Sequence, residues 1–204
     1  MKRRFLMMAA MVLMALAATA QVGRTAQGQR QAVNLDGVST LDAMKMQPDT
    51  VMPNGEWQRV VQSEMSAKEG FKYAKQVMAR IVPDYQRNVQ LEDTADCKLV
   101  VTATLPLLAT VKTERVDFLY RGTYDVTLTV VVKNQRYRVS CENVICSYEV
   151  RTNGQTVDRK SNYKFEDAAR MTDGNMQFDM RSKAGRLVWL IDSRLKKQKS
   201  DDDF

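Results

Sequence analysis

Histidine is absent from all 204 residues. Its absence excludes Ser-His-Asp and Cys-His catalysis, imidazole general bases and histidine-ligated zinc. Glycine-rich phosphate loops are missing as well, since neither G-x-x-x-x-G-K nor G-x-G-x-x-G occurs, and with them go the usual backbone cradles for nucleotides. After the first twenty residues no apolar run reaches the ~20 residues that cross a bilayer as a helix. Internal repeats and long low-complexity segments are also lacking.

What is present begins with a leader. Lys2, Arg3 and Arg4 open the chain, residues 5–17 form a short apolar run, and Ala18-Thr19-Ala20 supplies small residues for cleavage. This is the pattern of a secretory signal peptide over residues 1–20, with a mature chain from Gln21 that is periplasmic or secreted. No cysteine follows the cleavage site to accept a lipid. Three of the cations behind the formal net charge of +7 lie in the leader, and the others are dispersed along the chain. Nucleic acid is therefore not an expected partner.

The strongest pattern lies between Tyr120 and Tyr148. In its first arm Tyr120, Tyr124, Val126, Leu128, Val130 and Val132 alternate with Arg121, Thr123, Asp125, Thr127 and Thr129, the period of a strand with one buried face. Tyr137, Val139 and Cys141 continue the apolar set on odd positions. A two-residue loop at Asn134 and Gln135 then sets Val132 opposite Tyr137, Val130 opposite Val139 and Leu128 opposite Cys141. Beyond Cys141 the apolar positions become Val144, Cys146, Tyr148 and Val150, which requires one extra residue near Glu142 or Asn143, a β-bulge. A slip of one residue would expose every apolar side chain of the pair. Each is worth about 1.5–3 kcal/mol when buried, so the register is well specified.

Around this hairpin the chain divides as follows. Residues 21–55 show no sustained period and read as a poorly ordered lead-in, closed by the Pro53-Asn54-Gly55 turn. A single domain then spans 56–199. Trp57, Val60 and Val61 mark a short strand, and Ser66-Ala67-Lys68-Glu69 is a capping box. Phe71, Ala74, Val77, Met78 and Ile81 give the next helix one apolar face until Pro83 stops it. Val89 and Leu91 form a short strand, and Cys97, Leu99, Val101, Ala103 and Leu105 a longer one. Residues 106–118 read as a strand continuation with an irregular loop, and 151–181 as irregular or short extra strands. From about Ser182 to Lys197, Leu187, Leu190, Ile191 and Leu195 line one face of a last helix. Residues 200–204 read as a disordered, charged tail.

The order strand, helix, four strands, helix is that of a TATA-binding-protein-like α+β fold, an antiparallel sheet with two helices on one face. Val60-Val61, the cap at 65–69, Phe71 through Lys75, Glu92-Asp93 before Lys98-Leu99-Val100, and Leu128 to Val130 turning into Arg136 to Val139 also resemble a known family. It is the secreted domain of unknown function with that fold, found in anaerobic gut bacteria. The resemblance covers about residues 56 to 150, with Asn134-Gln135 where the family's usual turn is Asp-Gly. It implies the fold and an exported location, and it brings no activity or catalytic residues.

The residues left for chemistry are few. Cys141 and Cys146 lie on one strand roughly 15 Å apart, and Cys97 and Cys141 are two strands apart, about 9.5 Å, beyond disulfide reach. Three reduced, core-facing thiols are expected. Glu92, Asp93 and Asp96 cluster in one turn and could serve a carboxylate-based hydrolase acting on glycan, but the spacing of a calcium loop is absent, and a solvated turn is the plainer reading. No cofactor or metal is expected. If both helices cover one side of the sheet, its other face carries Thr102, Arg121, Thr127, Thr129, Arg138 and Ser140, available to an unknown protein or glycan of the cell envelope. That face holds none of the aromatic wedges with which TATA-binding proteins open the minor groove. The functional expectation is an exported, non-enzymatic binding or structural module.

Overall fold

A computed structural model describes residues 31–202. The expected signal peptide, residues 21–30, and Asp203 and Phe204 lie outside the described residues. In chain order the elements are α1 (Thr40–Lys45), β1 (Trp57–Gln62), α2 (Ala67–Ile81), α3 (Tyr85–Asn88), β2 (Val89–Asp93), β3 (Lys98–Lys112), β4 (Asp117–Lys133), β5 (Arg136–Thr152), β6 (Gln155–Lys164), α4 (Phe165–Met171) and α5 (Asn175–Asp202).

β4 and β5, seventeen residues each, form the central hairpin. Val132 pairs with Tyr137, Val130 with Val139 and Leu128 with Cys141, as the alternation requires. The register shifts between Asp125 and Thr127, and Asn143 has φ +54°, so the extra residue sits where the parity of the sequence changes. The other strands add antiparallel in the order β1-β5-β4-β3-β2. β6 joins the same edge of β5 as β1 does: β1 pairs with residues 136–141 and β6 with 145–152. The sheet thus gains a strand within 151–181, which the sequence left irregular or as short extra strands. β3 and β4 are also longer than their periodicity indicates, since pairing holds from Lys98↔Val131 to Lys112↔Asp117. Pro106 is tolerated inside β3 by its position. Thr104 O accepts from Val33 N and Leu108 N donates to Asp179, so backbone groups of that parity point away from β4, and Pro106 leaves no N–H without a partner.

The capping box closes in both directions, Glu69 N to Ser66 Oγ and Ser66 N to Glu69 Oε2, each at 3.3 Å. The hairpin loop completes the cap. Asn134 Oδ1 accepts from Ala67 N at 2.9 Å, and Gln135 N donates to Met65 O at 3.0 Å. An asparagine in this turn therefore satisfies one of the free N–H groups that every helix start exposes. Gly70 brings α2 against β4, where an added Cβ would lie 2.8 Å from Val132 Cγ1.

α2 and α5 cover one face of the sheet, built from Leu99, Val101, Leu128, Val130, Val139 and Cys141, all fully buried. Two acids of α5 reach tyrosines of the hairpin. The Tyr124 hydroxyl donates to Asp179 Oδ2 and the Tyr137 hydroxyl to Asp192 Oδ1, both at 3.0 Å. Lys183 and Lys196, one turn further along, pair with the same acids at 3.5 and 2.7 Å.

Three segments differ from the sequence reading. Residues 31–55 are packed rather than loose: Val33, Leu35, Val38 and Ala43 are buried, and Ser39 caps α1 by accepting from Asp42 N. Their apolar side chains answer to tertiary neighbours, so they follow no local period. α1 docks where α5 carries Gly185, since a Cβ there would stand 2.3 Å from Ala43 O. α5 starts at Asn175, before Ser182, with Met176 and Met180 in the core. It also continues through Asp201 and Asp202, residues the sequence assigned to the tail.

Candidate functional site

Antiparallel pairing carries the alternation of one strand onto its neighbours, so the second face of the sheet can be read row by row. Moving from the hairpin tip, Gln62, Arg136 and Lys133 share a row, then Val60, Arg138, Val131, Lys98 and Asp93, then Gln58, Ser140, Thr129, Val100 and Leu91. Further along lie Thr127 beside Thr102, and Arg121 between Leu108 and Glu149. α2, α4 and α5 all make their contacts on the opposite side, through Val132, Tyr124 and Tyr137.

The six residues nominated from the sequence do share this face, but they are not equally accessible. Arg121 and Arg138 are exposed, and Thr102 and Thr127 are half-buried, with Gln90 Nε2 donating to Thr102 Oγ1 at 2.7 Å. Thr129 and Ser140 are each only 7% exposed. They are cross-strand partners on the two central strands, and their short side chains stand between rows of longer ones. Both are corrected from exposed binding residues to buried spacers.

The sequence also sets Lys98, Arg121, Arg136 and Arg138 on this face as a group that could meet an anionic partner, with solubility of the strands as the plainer reading; the structure gathers Lys98, Arg136 and Arg138 with Lys133 at the hairpin tip and leaves Arg121 apart. Lys98, Lys133, Arg136 and Arg138 project from three adjacent strands on the same face. None of the four forms an ion pair among the described residues, whereas Arg59, Lys75, Arg151, Lys160 and Lys199 all do. The signal for Lys133 was available in the predicted register, which places it opposite Arg136.

The acidic turn does not assemble a catalytic pair. Glu92 lies opposite Leu99 on the helix-covered side, accepts from the Tyr85 hydroxyl at 2.7 Å and pairs with Lys75 at 3.8 Å. Asp93 lies opposite Lys98 on the other side, and its Oδ1 accepts from Ala95 N and Asp96 N, which shapes the turn. Successive residues of a strand point to opposite faces. The two carboxylates therefore cannot flank one bond, which removes the arrangement a glycosidase needs.

All three cysteines are buried and unbonded. Burial pushes the Cys146 thiol up to about 12 and raises Cys141 further, where the charges of Glu56 and Glu142 add to the effect. Both are held as thiols, the unreactive form. No group of acidic or sulfur side chains among the described residues could hold a metal ion. A shallow depression of about 280 Å³ between Pro53, Glu166, Arg170 and Gln177 brings no convergent chemistry. No helix among the described residues is long and apolar enough to cross a membrane.

No family model matches the chain, and no curated protein does. Among solved structures, the chain is similar to a DUF4468 family protein from Bacteroides ovatus, 13% identical, covering 74% of this chain and 90% of that one at a TM-score of 0.40. It is also similar to a TBP-like protein from Parabacteroides distasonis, 14% identical, covering 74% and 93% at a TM-score of 0.43. Both descriptions agree with the resemblance carried by the sequence. At this identity neither structure passes an activity, a ligand or a partner to this chain, whose own antiparallel sheet and helices make it an α+β protein.

Proposed function

We propose that the chain is an exported, non-enzymatic binding or structural module of the cell envelope, and that it holds a protein or glycan against the open face of its sheet. One observation carries this reading: a sheet face without a helix on it, whose exposed Arg121, Arg136 and Arg138 form no ion pair among the described residues. Export is supported by the basic start, apolar run and Ala18-Thr19-Ala20 of the leader. The hydrolase alternative loses its site with the divergence of Glu92 and Asp93.

Fractionation of cells expressing the full chain tests both parts. Mass spectrometry of the exported protein should find an N-terminus at Gln21. The wild type should sediment with envelopes and be released by salt, while Arg138→Glu should appear in the soluble fraction. Equal sedimentation of the two forms, or release of both without salt, would overturn the assignment of the open face.

A further inference from the structure

We propose that the ligand of the open face is an anionic polysaccharide, gripped at the hairpin-tip end by Lys98, Lys133, Arg136 and Arg138. The inference rests on the reading of that face as a binding surface and names the chemistry it takes. Lys133 and Arg136 are direct cross-strand partners, and Arg138 and Lys98 flank Val131 in the next row. Like charges set opposite one another in a ladder are destabilising. No carboxylate among the described residues forms an ion pair with any of the four. The nearest acid in the register, Asp93, is turned into its own loop.

The neighbours of these cations decide the kind of anion. A protein partner needs an anchoring cluster of buried aromatic or apolar contacts at the centre of its interface. This end of the face offers only Val131 and Val60 between the charges, and Val60, 48% exposed, and Leu91, 42% exposed, stand on opposite edge strands. No aromatic side chain projects from this face of β1 to β5. A neutral sugar therefore finds no ring to stack on, and an anionic bilayer only Val60 and Leu91, set apart on opposite edges, rather than an apolar cluster to insert. A polymer that carries a carboxylate or sulfate on each repeat needs neither. The cations present themselves about 7 Å apart along β5 and about 9.6 Å apart between β5 and β3, an array on which successive charges of one strand can settle. Arginine also offers each anionic group a planar fork of donors.

Binding of the purified mature protein to heparin, polygalacturonate, neutral dextran and polyglutamate, followed by calorimetry at low and physiological salt, tests this. Heparin or polygalacturonate should bind, dextran should not, and affinity should fall as salt rises. Lys98→Glu/Arg138→Glu should weaken binding at least about tenfold, and Arg194→Glu/Lys197→Glu, an equal charge change on the exposed side of α5, should leave it within about twofold. An equal loss in both variants would reduce the effect to net charge and overturn the site. Binding to polyglutamate alone would replace the polysaccharide by an acidic protein. If none of the polymers binds while envelope sedimentation still depends on Arg138, the polysaccharide falls and the binding-module reading stands. If sedimentation also ignores Arg138, both fall.

Discussion

The two faces of this sheet share the same strands and hydrogen bonds, yet helices cover one, while the other carries exposed Arg121, Arg136 and Arg138 among short side chains that neighbouring strands bury. On the covered face Leu128, Val130 and Val139 are fully buried, and the two polar groups that enter it from α5, Asp179 and Asp192, each receive a tyrosine hydroxyl and a lysine. On the open face Lys98, Lys133, Arg136 and Arg138 form no ion pair among the described residues. A buried charge without a partner costs several kcal/mol, whereas an exposed one is solvated and screened. The core therefore enforces pairing, and the open face tolerates a charge pattern whose use must come from outside the chain.

Substitutions should respect that asymmetry. The largest effect belongs to Leu128→Ala, which removes a fully buried side chain and should cost about 2–5 kcal/mol in denaturant unfolding. Gly122→Ala comes next. Its Cβ would fall 2.0 Å from Ser147 O, backbone that cannot step aside, and a loss of about 1–3 kcal/mol is expected. Asn134→Ala removes the acceptor for Ala67 N and should cost about 1 kcal/mol, with faster amide exchange in the first turn of α2.

A pH-dependent contribution follows from Asp179, whose pKa burial raises despite Lys183 and two hydrogen-bond donors. An acid whose pKa the fold raises adds stability that is fully present below its unfolded pKa and is lost as pH rises through the folded value. Wild type should therefore lose stability relative to Asp179→Asn as pH climbs through that window, and a constant difference across pH would contradict it. Smallest of all, Thr127→Ala on the open face should change stability by no more than about 0.5 kcal/mol. A loss near that of Leu128→Ala would mean that the face is covered.

Much of the fold was legible because its signals are local. The hairpin register, the bulge near Asn143 and the capping box at Ser66 all depend on residues a few positions apart or on parity along a strand. The lead-in was misread for the converse reason. Val33, Leu35 and Val38 are buried by elements seventy or more residues away, as the bond from Val33 N to Thr104 O illustrates, and no window of sequence contains that neighbour. In the candidate site the alternation placed all six nominated residues on one face, but it could not tell exposed Arg138 from Ser140, two residues on, which neighbouring strands bury.

The sequence by itself determined the two faces, because side chains alternate along a strand whatever it packs against. It also set the i,i+4 spacing of Asp179 with Lys183 and of Asp192 with Lys196. Only the tertiary structure decided that each of those acids also meets a tyrosine fifty-five residues earlier, that Glu92 and Asp93 are engaged on opposite sides of the sheet, and that the tip cations form no ion pair among the described residues. Periodicity assigns a side chain its direction. Which group waits there is settled by chain segments far away in sequence, brought close by burial of the apolar face.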